Sequence, residues 1–483
     1  MIAKSLITGL AGLVLTVSAA VAGTNALDKA SQVLGVSGIT SLTFSAAGSS
    51  GTLGQSFAPT SAWPLLNIPS YSRTIDYPSQ SSREDITRTQ EDPPAKGGGL
   101  PFAGEQKQVN LVSGAFAWNQ PGAQPQPAPA TATERQLQIW LTPQGFIKGA
   151  LAGTPTIKSV KGGTEVFLSR ERQVHDIRRH RSARFRHPDL QTWIPNPVLG
   201  DMLIRCDYSG YRDYSGIVFP AHIVQQQGGH MVLDLAVSAV QANVPNAALT
   251  VPEAVRTATL PAVRAQSQKL VDGVWFIAGG SHNSVLVEYK DYLAMVEAPN
   301  NEERSLAVIA DAKKLVPGKP IKYLVNSHHH FDHAGGLRTY VAEGATIITG
   351  AGNKAYYEKA WQLPRTLDPD LLARAPKKAS FIEVKDTYVL ADGTRSLEVH
   401  RIQNATDNAS TLLVYLPAEK TLIEADAFNP PPPGQMVQVP MALGFGNNLY
   451  DNISRLKLDV ASIAPLHGRI VSYSEFTKAL GKE

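Results

Sequence analysis

Cysteine is almost missing from this chain, in which Cys206 is the only one among 483 residues. A single thiol cannot form an internal disulfide bond, and it excludes a zinc site built from several cysteines. A strong excess of one charge is missing as well, since 45 basic and 41 acidic residues leave a net charge of +4. For a chain of this length, that balance gives no indication of a nucleic-acid partner.

Long apolar runs are missing except near the first residue. Lys4 precedes an apolar stretch, Leu6–Val17, and the small residues Ala20–Ala22 form a typical cleavage pattern. A membrane anchor is the weaker interpretation, because this stretch is short and interrupted by glycine. We therefore expect residues 1–22 to be a secretory signal peptide. The mature chain is then expected to be periplasmic or secreted, without an integral membrane segment.

Residues 23–250 have the pattern of a β-rich domain. Alternating or β-branched apolar segments, such as 137–149 and 231–243, are separated by glycine turns. This pattern predicts an antiparallel sheet with one buried face. Proline- and glycine-rich stretches at 90–104 and 119–134 indicate loops.

One segment of this region, residues 170–186, contains seven arginines. It has two interpretations: a surface for an anionic partner, or a solvated hairpin whose charges keep a sheet edge from pairing. We prefer the hairpin, because Phe185 is the only aromatic residue interleaved with these charges.

The pattern changes after residues 251–268, which have the composition of a linker. Between residues 269 and 483, strand-like runs alternate with helical stretches such as 301–316. Such alternation favours a layered α/β arrangement. The expected fold class is therefore α+β with two domains, an N-terminal antiparallel β-rich domain (23–250) and a C-terminal layered domain (269–483).

Histidine is concentrated in one short segment. Four of the twelve histidines lie in NSHHHFDHAGG, residues 326–336, directly after the apolar run IKYLV. Residues two apart in an extended turn point the same way, so His328 and His330 are predicted to hold one metal ion. Asp332 and His333 then face a neighbouring ion, and His329 points away as a structural residue. Imidazole and carboxylate ligands together suit zinc, iron or manganese.

This segment resembles the signature of the metallo-β-lactamase-fold hydrolases, and the resemblance covers residues 269–483. It implies an αββα sandwich with a dinuclear metal site between two sheets. Asp426, in LIEADAF, matches the aspartate that bridges the two ions, and His467, in APLHG, matches the last histidine of the pattern. The implied cofactors are two divalent metal ions, zinc first, with iron or manganese as alternatives.

The chain departs from the family pattern at one ligand. The family has a histidine in a turn ahead of the bridging aspartate, and the matching position here is Asp407, nineteen residues before Asp426. His400, in the preceding strand, is the rival candidate. A third carboxylate adds negative charge and weakens the Lewis acidity of the bound ions. This change favours iron or manganese, or the loss of one ion.

The resemblance implies an exported metal-dependent hydrolase acting on a small molecule. A metal-bound hydroxide would cleave an ester, lactone, lactam, thioester or phosphoester, with Asp332 as the catalytic residue that orients it. Ser327 and Ser284 are candidates for holding the imidazoles in place. His282, in GGSHNS, is either a wall of the cleft or a surface residue.

Two other functions stay open at this point. Residues 208–244 resemble, weakly, the curved sheets of lipoprotein-carrier-like periplasmic domains. The chain would then be a periplasmic binding protein for an apolar ligand, with a degenerate metal site. The other alternative is redox chemistry at a carboxylate-rich di-iron site with a flavin partner.

Overall fold

The computed structural model describes residues 26–99, 101–160, 163–170, 181–186, 189–260 and 262–482. The expected signal peptide, residues 1–22, lies outside these residues, as does most of the arginine-rich segment. The described chain is a mixed α/β protein with large sheets. None of its described helices combines the length and the apolar composition needed to cross a membrane.

The helices of the described residues lie mainly in the second half of the chain. They are α1 (26–33), α2 (Ala132–Trp140), α3 (Pro143–Ala152), α4 (Glu253–Arg256), α5 (Glu302–Leu315), α6 (Phe331–Ala334), α7 (Leu337–Glu343), α8 (Asn353–Ala360), α9 (Leu371–Arg374), α10 (Pro440–Leu456) and α11 (Tyr473–Ala479). Short 3-10 turns occupy Val36–Gly38 and Pro129–Thr131.

Antiparallel strands dominate the first half of the chain. They are β1 (Ser41–Gly51), β2 (Leu65–Asp76), β3 (Ser81–Gln90), β4 (Gln106–Ser113), β5 (Phe116–Asn119), β6 (Gln126–Pro127), β7 (Thr156–Val160), β8 (Gly163–Arg170), β9 (Arg181–Arg186), β10 (Asp189–Asn196), β11 (Gly200–Ser209), β12 (Arg212–Asp213), β13 (Val218–Phe219), β14 (His222–Gln227) and β15 (His230–Ala242). Apart from the pair β12–β13, they form one sheet in the order β6-β5-β4-β3-β2-β1-β15-β14-β11-β10-β9-β8-β7.

The prediction of a strand at 137–149 is wrong, because α2 and α3 occupy this segment. Thr142 caps α3, its side chain accepting a hydrogen bond from the Gly145 amide at 3.0 Å, and Pro143 stands at the first helical turn. These two helix-start signals outweigh the β-branched residues around them. The helices bury Ile139 and Phe146 against the sheet, so the same apolar residues cover a face instead of extending it.

Two further sheets form the second half. The second sheet contains β16 (Gln266–Val271), β17 (Val274–Ala278), β18 (Ser284–Glu288), β19 (Leu293–Val296), β20 (Ile321–Val325), β21 (Thr346–Gly350) and β22 (Ser380–Val384). The third contains β23 (Thr387–Ala391), β24 (Ser396–Arg401), β25 (Leu412–Leu416), β26 (Thr421–Glu424), β27 (Ser462–Pro465) and β28 (Val471–Ser472). The strand β16 begins inside the segment expected to be a linker, 251–268.

The inner faces of these two sheets share one core. Val285 and Val296 of the second sheet lie in the same buried cluster as Val399 and Val414 of the third. Both sheets contain strands that are buried over their whole length, as expected where each face is covered.

Helices cover the two outer faces. Leu286 and Met295, which alternate with the inner residues, pack in a cluster with Val308 of α5. On the other side, Leu413 packs with Leu449 of α10 and Phe476 of α11 in a separate cluster. The resulting order of layers is helix, sheet, sheet, helix.

Three strands of this sandwich end near the predicted ligands. The strand β20 runs parallel to β19 and β21, and the histidine-rich segment follows its last residue, Val325. In the third sheet, β26 and β27 are parallel neighbours, and Asp426 and His467 each come two residues after one of them. The carboxyl ends of parallel strands form the edge at which ligands collect in α/β folds.

Candidate metal centre

The structure brings all seven predicted ligands together and adds one histidine. Their ligand atoms form two groups, in each of which the atoms lie within 4.8 Å of one another. The first group is His328, His330, Asp407 and Asp426, and the second is His282, Asp332, His333 and His467. Each group combines imidazoles with carboxylates, the ligand types that suit zinc, iron and manganese.

Asp426 contacts both groups. Its Oδ2 atom lies 3.1 Å from His328 Nε2 and 3.1 Å from His333 Nε2, and its Oδ1 atom lies 3.0 Å from His467 Nε2. Its backbone φ is 60°, a value that non-glycine residues seldom adopt and that clusters at functional sites. The turn after β26 therefore places this carboxylate between the two groups, where the sequence predicted a bridging ligand.

Three buried atoms of the first group form no hydrogen bond: His330 Nδ1, Asp407 Oδ2, and His328 Nε2, which lies 3.1 Å from Asp426 Oδ2 without bonding to it. The His330 and Asp407 atoms are 3.8 Å apart. Burial, and then the charge of Asp426, raise the pKa of Asp407 well above its ordinary value. Buried polar atoms without partners are costly, and a cation among these three would satisfy them together.

In the second group, two imidazoles direct their Nε2 atoms at each other. His333 Nδ1 lies 3.0 Å from Glu297 Oε2, and His467 Nδ1 lies 3.0 Å from the carbonyl oxygen of Ser281. Because carboxylate and carbonyl oxygens only accept hydrogen bonds, both Nδ1 atoms carry the proton. The two Nε2 atoms, 3.1 Å apart, therefore have room for one proton or one cation between them.

Glu297 orients one ligand imidazole of each group through the ring nitrogen that faces away from the other ligands. This fully buried carboxylate accepts hydrogen bonds from His333 and from the Ser327 hydroxyl, and Ser327 in turn lies 3.0 Å from His328 Nδ1. Burial raises the pKa of Glu297, but the hydrogen bond and charge of His333 lower it overall. Carboxylates that fix the tautomer of ligand imidazoles in this way strengthen metal binding.

Sequence reasoning missed Glu297, although an acidic residue directly after the apolar strand LAMV was a usable signal. Ser327 does contact an imidazole, as expected. Ser284 instead donates to the Glu297 carbonyl oxygen at 3.2 Å, so it supports the backbone and contacts no ligand imidazole.

His282 belongs to the site. It is buried, and its Nε2 atom lies 3.3 Å from Asp332 Oδ2, while its Nδ1 atom lies 2.7 Å from the Ser281 hydroxyl. The sequence left this residue open between a cleft wall and a surface position. The loop between β17 and β18 turns it inward, a placement that depends on the order of strands in the second sheet.

His329 and His400 lie outside both groups. His329 uses both ring nitrogens, with Ser56 Oγ at 3.0 Å and Asn408 Nδ2 at 2.9 Å, as its predicted structural role requires. His400, the rival to Asp407, lies in β24 and pairs with Glu398 at 2.9 Å.

A cavity of about 350 Å³ opens over the two groups. Asp332, Asp407, Asp426 and His467 line it on one side. Its other walls come from distant parts of the chain: Gln55 and Pro101 of the first half, and Pro430 and Phe445 of the second. The proline-rich segment after Asp426 thus forms part of the rim.

Residues 277–463 match the sequence model of the Metallo-beta-lactamase superfamily. The resemblance predicted from the motifs is therefore confirmed over these residues, and the C-terminal region has the metallo-beta-lactamase fold. A comparison with curated proteins finds no match.

Several solved structures are similar to less than half of this chain. Rubredoxin oxygen:oxidoreductase from Desulfovibrio gigas is 17% identical, and the match covers 45% of this chain and 60% of that one, with a TM-score of 0.35. A metallo-beta-lactamase from Pontibacter korlensis is 17% identical over 46% of this chain and 100% of its own, with a TM-score of 0.34. The FIM-1 metallo-beta-lactamase of Pseudomonas aeruginosa, in its mono-zinc form, is 15% identical. The match covers 46% of this chain and 95% of that one, with a TM-score of 0.34. No conclusion about the activity of this chain follows from similarities this distant.

Proposed function

We propose that this chain, in which residues 277–463 match the metallo-beta-lactamase superfamily, is a metal-dependent hydrolase with two divalent metal ions. The observation that supports the proposal is the arrangement of four imidazoles. His328, His333 and His467 each use Nδ1 for an outer hydrogen bond, and His330 uses Nε2. Their remaining nitrogens are thereby directed towards three carboxylates, as metal ligands require.

Asp332 is proposed to be both a ligand and the catalytic carboxylate. Metal ions held here would supply Lewis acidity, lowering the pKa of water and polarising the oxygen of the bond to be cleaved. Burial raises the pKa of Asp332, but the charge of His333 and the hydrogen bond from His282 lower it overall, so the side chain is ionised. Since Asp332 also lines the cavity, its carboxylate can accept a hydrogen bond from the attacking water and orient it.

The proposed substrate is a small molecule with an ester, lactone, lactam, thioester or phosphoester bond. Two divalent cations carry a formal charge of +4, and Asp332, Asp407 and Asp426, all ionised once the cations are bound, carry −3, which leaves +1. A site with two carboxylates would keep +2, so this centre attracts anionic substrates less strongly. Within the proposed range, we therefore favour uncharged esters and lactones over phosphodiesters.

The test begins with elemental analysis of untagged protein, because a histidine tag would bring its own metal. We expect about two equivalents of zinc, iron or manganese. His330→Ala should lose at least one equivalent and reduce hydrolysis of aryl esters and lactones by about 100-fold or more, the scale of losing a catalytic group. His400→Ala, which removes a buried histidine outside both groups, should leave the metal content and the rate of hydrolysis unchanged. Turnover that survives the loss of metal contradicts the proposal.

The binding-protein alternative predicts bound lipid-like material and no metal-dependent turnover. It rests on Asp407 and on the weak resemblance of the first half to carrier domains. A cavity of about 360 Å³ against the first sheet is lined by Arg73, Glu84, Arg88 and Arg135, among others. Most of the lining residues are polar or charged, whereas a site for an apolar ligand is lined mainly by apolar side chains. We therefore rank this alternative second.

Two organisational proposals accompany the hydrolase. One is the division into a β-rich domain (23–250), a linker (251–268) and a catalytic domain (269–483). The other is export to the periplasm or beyond after removal of residues 1–22, which rests on the sequence pattern alone. Mass spectrometry of protein from the native host tests the second, since the first peptide should begin at Gly23.

A further inference from the structure

A loop of the first sheet reaches the candidate metal centre. The loop joins β1 to β2 and packs on Phe331, the first residue of α6, which also carries Asp332 and His333. A Cβ atom at Gly54, where φ is +72°, would lie 2.2 Å from the Phe331 ring. From the other end of the loop, the Trp63 ring meets Phe331 edge-on, with 5.8 Å between centroids. The loop and α6 are therefore in direct contact.

Two consecutive residues of this loop contact one ligand in each group. The Ser56 carbonyl oxygen lies 3.1 Å from His330 Nε2 and accepts a hydrogen bond from it. The Nδ1 atom of His330 is then free to bind a metal ion. The Gln55 side chain donates from Nε2 to Asp332 Oδ1 at 2.9 Å. Since an ionised carboxylate only accepts, the amide nitrogen must be the atom that faces it.

Backbone hydrogen bonds hold the same loop against the turn that carries Asp407. The Ala409 amide donates to the Phe57 carbonyl oxygen at 2.8 Å, and the Gly97 amide donates to the Thr406 carbonyl oxygen at 2.8 Å. An isolated antiparallel β-bridge between Ser56 and Gly97 joins this loop to the loop between β3 and β4. The position of Gln55 is thus set by the bonds of the two residues that follow it and by the Gly98 amide, which donates to the Gln55 carbonyl oxygen at 3.0 Å.

We infer that Gln55 is a positioning residue of the metal centre and that the first half of the chain completes the site. The inference rests on the proposed metal-dependent function. By holding Oδ1 of Asp332, Gln55 restricts the carboxylate to the orientation in which Oδ2 faces His282 and His333. A neutral amide does this without cancelling the negative charge, as a lysine or arginine would. Gln55 also lines the cavity, so it stands beside the bound substrate.

The test compares Gln55→Met with Thr60→Ala in the untagged, full-length protein. Methionine keeps the length of the side chain but removes the donor, while Thr60 is an exposed residue of the same loop. Gln55→Met should weaken zinc binding in competition with a chelator by about 10- to 100-fold, the usual effect of losing a partner of a metal ligand. It should also change the visible absorption of the cobalt-loaded protein, and Thr60→Ala should do neither.

Thermal unfolding of the metal-free proteins separates positioning from folding. Gln55→Met should unfold at the wild-type temperature when no metal is present, because the lost bond joins a side chain to a partly exposed carboxylate. Wild-type zinc affinity and cobalt absorption in Gln55→Met would overturn the inference while leaving the proposed function intact. Absence of metal binding by the wild-type protein would refute the metal centre itself, and with it the role of Gln55.

Discussion

Asp407 is the side chain whose identity most affects the chemistry of the centre. It is buried beside His330, its Oδ2 atom has no hydrogen-bond partner, and Asp426 adds to the negative potential around it. A histidine is usual in the family pattern at this place. Aspartate in place of a histidine therefore changes the charge of the site by one unit.

Replacing Asp407 by histidine should shift the metal content of the centre towards zinc. Asp407→His removes a negative charge and adds a nitrogen ligand, and softer nitrogen-rich sites favour zinc over iron and manganese. The zinc-to-iron ratio in untagged protein, grown in medium with equal amounts of both, should rise several-fold. Asp407→Asn is the matched control, since it removes the charge without offering a nitrogen lone pair. An unchanged ratio in Asp407→His would show that Asp407 does not bind metal.

At the scale of elements, short turns after buried strands carry the ligands, and close packing holds these turns in place. The helix α6 has only four residues, and Gly335 and Gly336 follow it directly. A Cβ atom at Gly335 would lie 1.9 Å from the Asn300 carbonyl oxygen, and one at Gly336 would lie 2.0 Å from Ser305 Oγ. The two glycines thus allow α6 to lie directly on the turn that precedes α5.

Adding one methyl group at Gly335 should displace α6. Gly335→Ala forces the helix away from Asn300, and overpacking of this kind typically costs about 1–3 kcal/mol of unfolding free energy. Because Asp332 and His333 move with the helix, metal content should fall as well. Gly444→Ala is the control, since a Cβ there has nothing within 4 Å and alanine favours a helix interior. Thermal unfolding and elemental analysis measure both effects, and a Gly335→Ala protein with wild-type stability and metal would contradict this account.

At the scale of the whole molecule, two of the contacts between the first and second halves of the described chain are of interest. One is the loop that carries Gln55. The other is the hairpin between β10 and β11, whose carbonyl oxygens at Pro197 and Val198 accept hydrogen bonds from Arg365 at 2.9 and 2.7 Å. The Asp201 amide also donates to the Pro364 carbonyl oxygen. These contacts connect the two halves of the chain away from the cavity.

Removing the Arg365 guanidinium should weaken this second contact. The side chain is only 6% exposed, so Arg365→Ala leaves backbone carbonyls unsatisfied and should cost about 2–4 kcal/mol. Calorimetry should show a lower unfolding temperature. The unfolding temperatures of the two halves of the chain should also differ more than in the wild-type protein. Arg374→Ala is the control: its side chain is 54% exposed, and exposed ion pairs contribute about 0–1 kcal/mol. Equal unfolding temperatures for the two variants would rule out a stabilising contact at Arg365.

Local spacing determined a large part of the site from sequence alone. His328, His330, Asp332 and His333 lie within one turn after a strand, so their proximity needs no knowledge of distant packing. Asp426 and His467 were identified because each follows an apolar strand at a position known from the family pattern. The antiparallel sheet of the first half was expected for the same local reason, alternation of apolar residues, whereas the helices at 132–152 were missed because their apolar residues also fit strands.

Only the tertiary structure decided the contacts between residues far apart in the chain. Gln55 meets Asp332 across 277 positions, and Ser56 meets His330 across 274. Glu297 likewise becomes part of the site when β19 pairs with β20, and His282 when the loop between β17 and β18 folds over Asp332. Periodicity and spacing predict which face of its own element a side chain lies on, but they do not predict which distant loop will cover that face. The packing of the loop between β1 and β2 against α6 therefore decided that residues of both halves lie at the candidate metal centre.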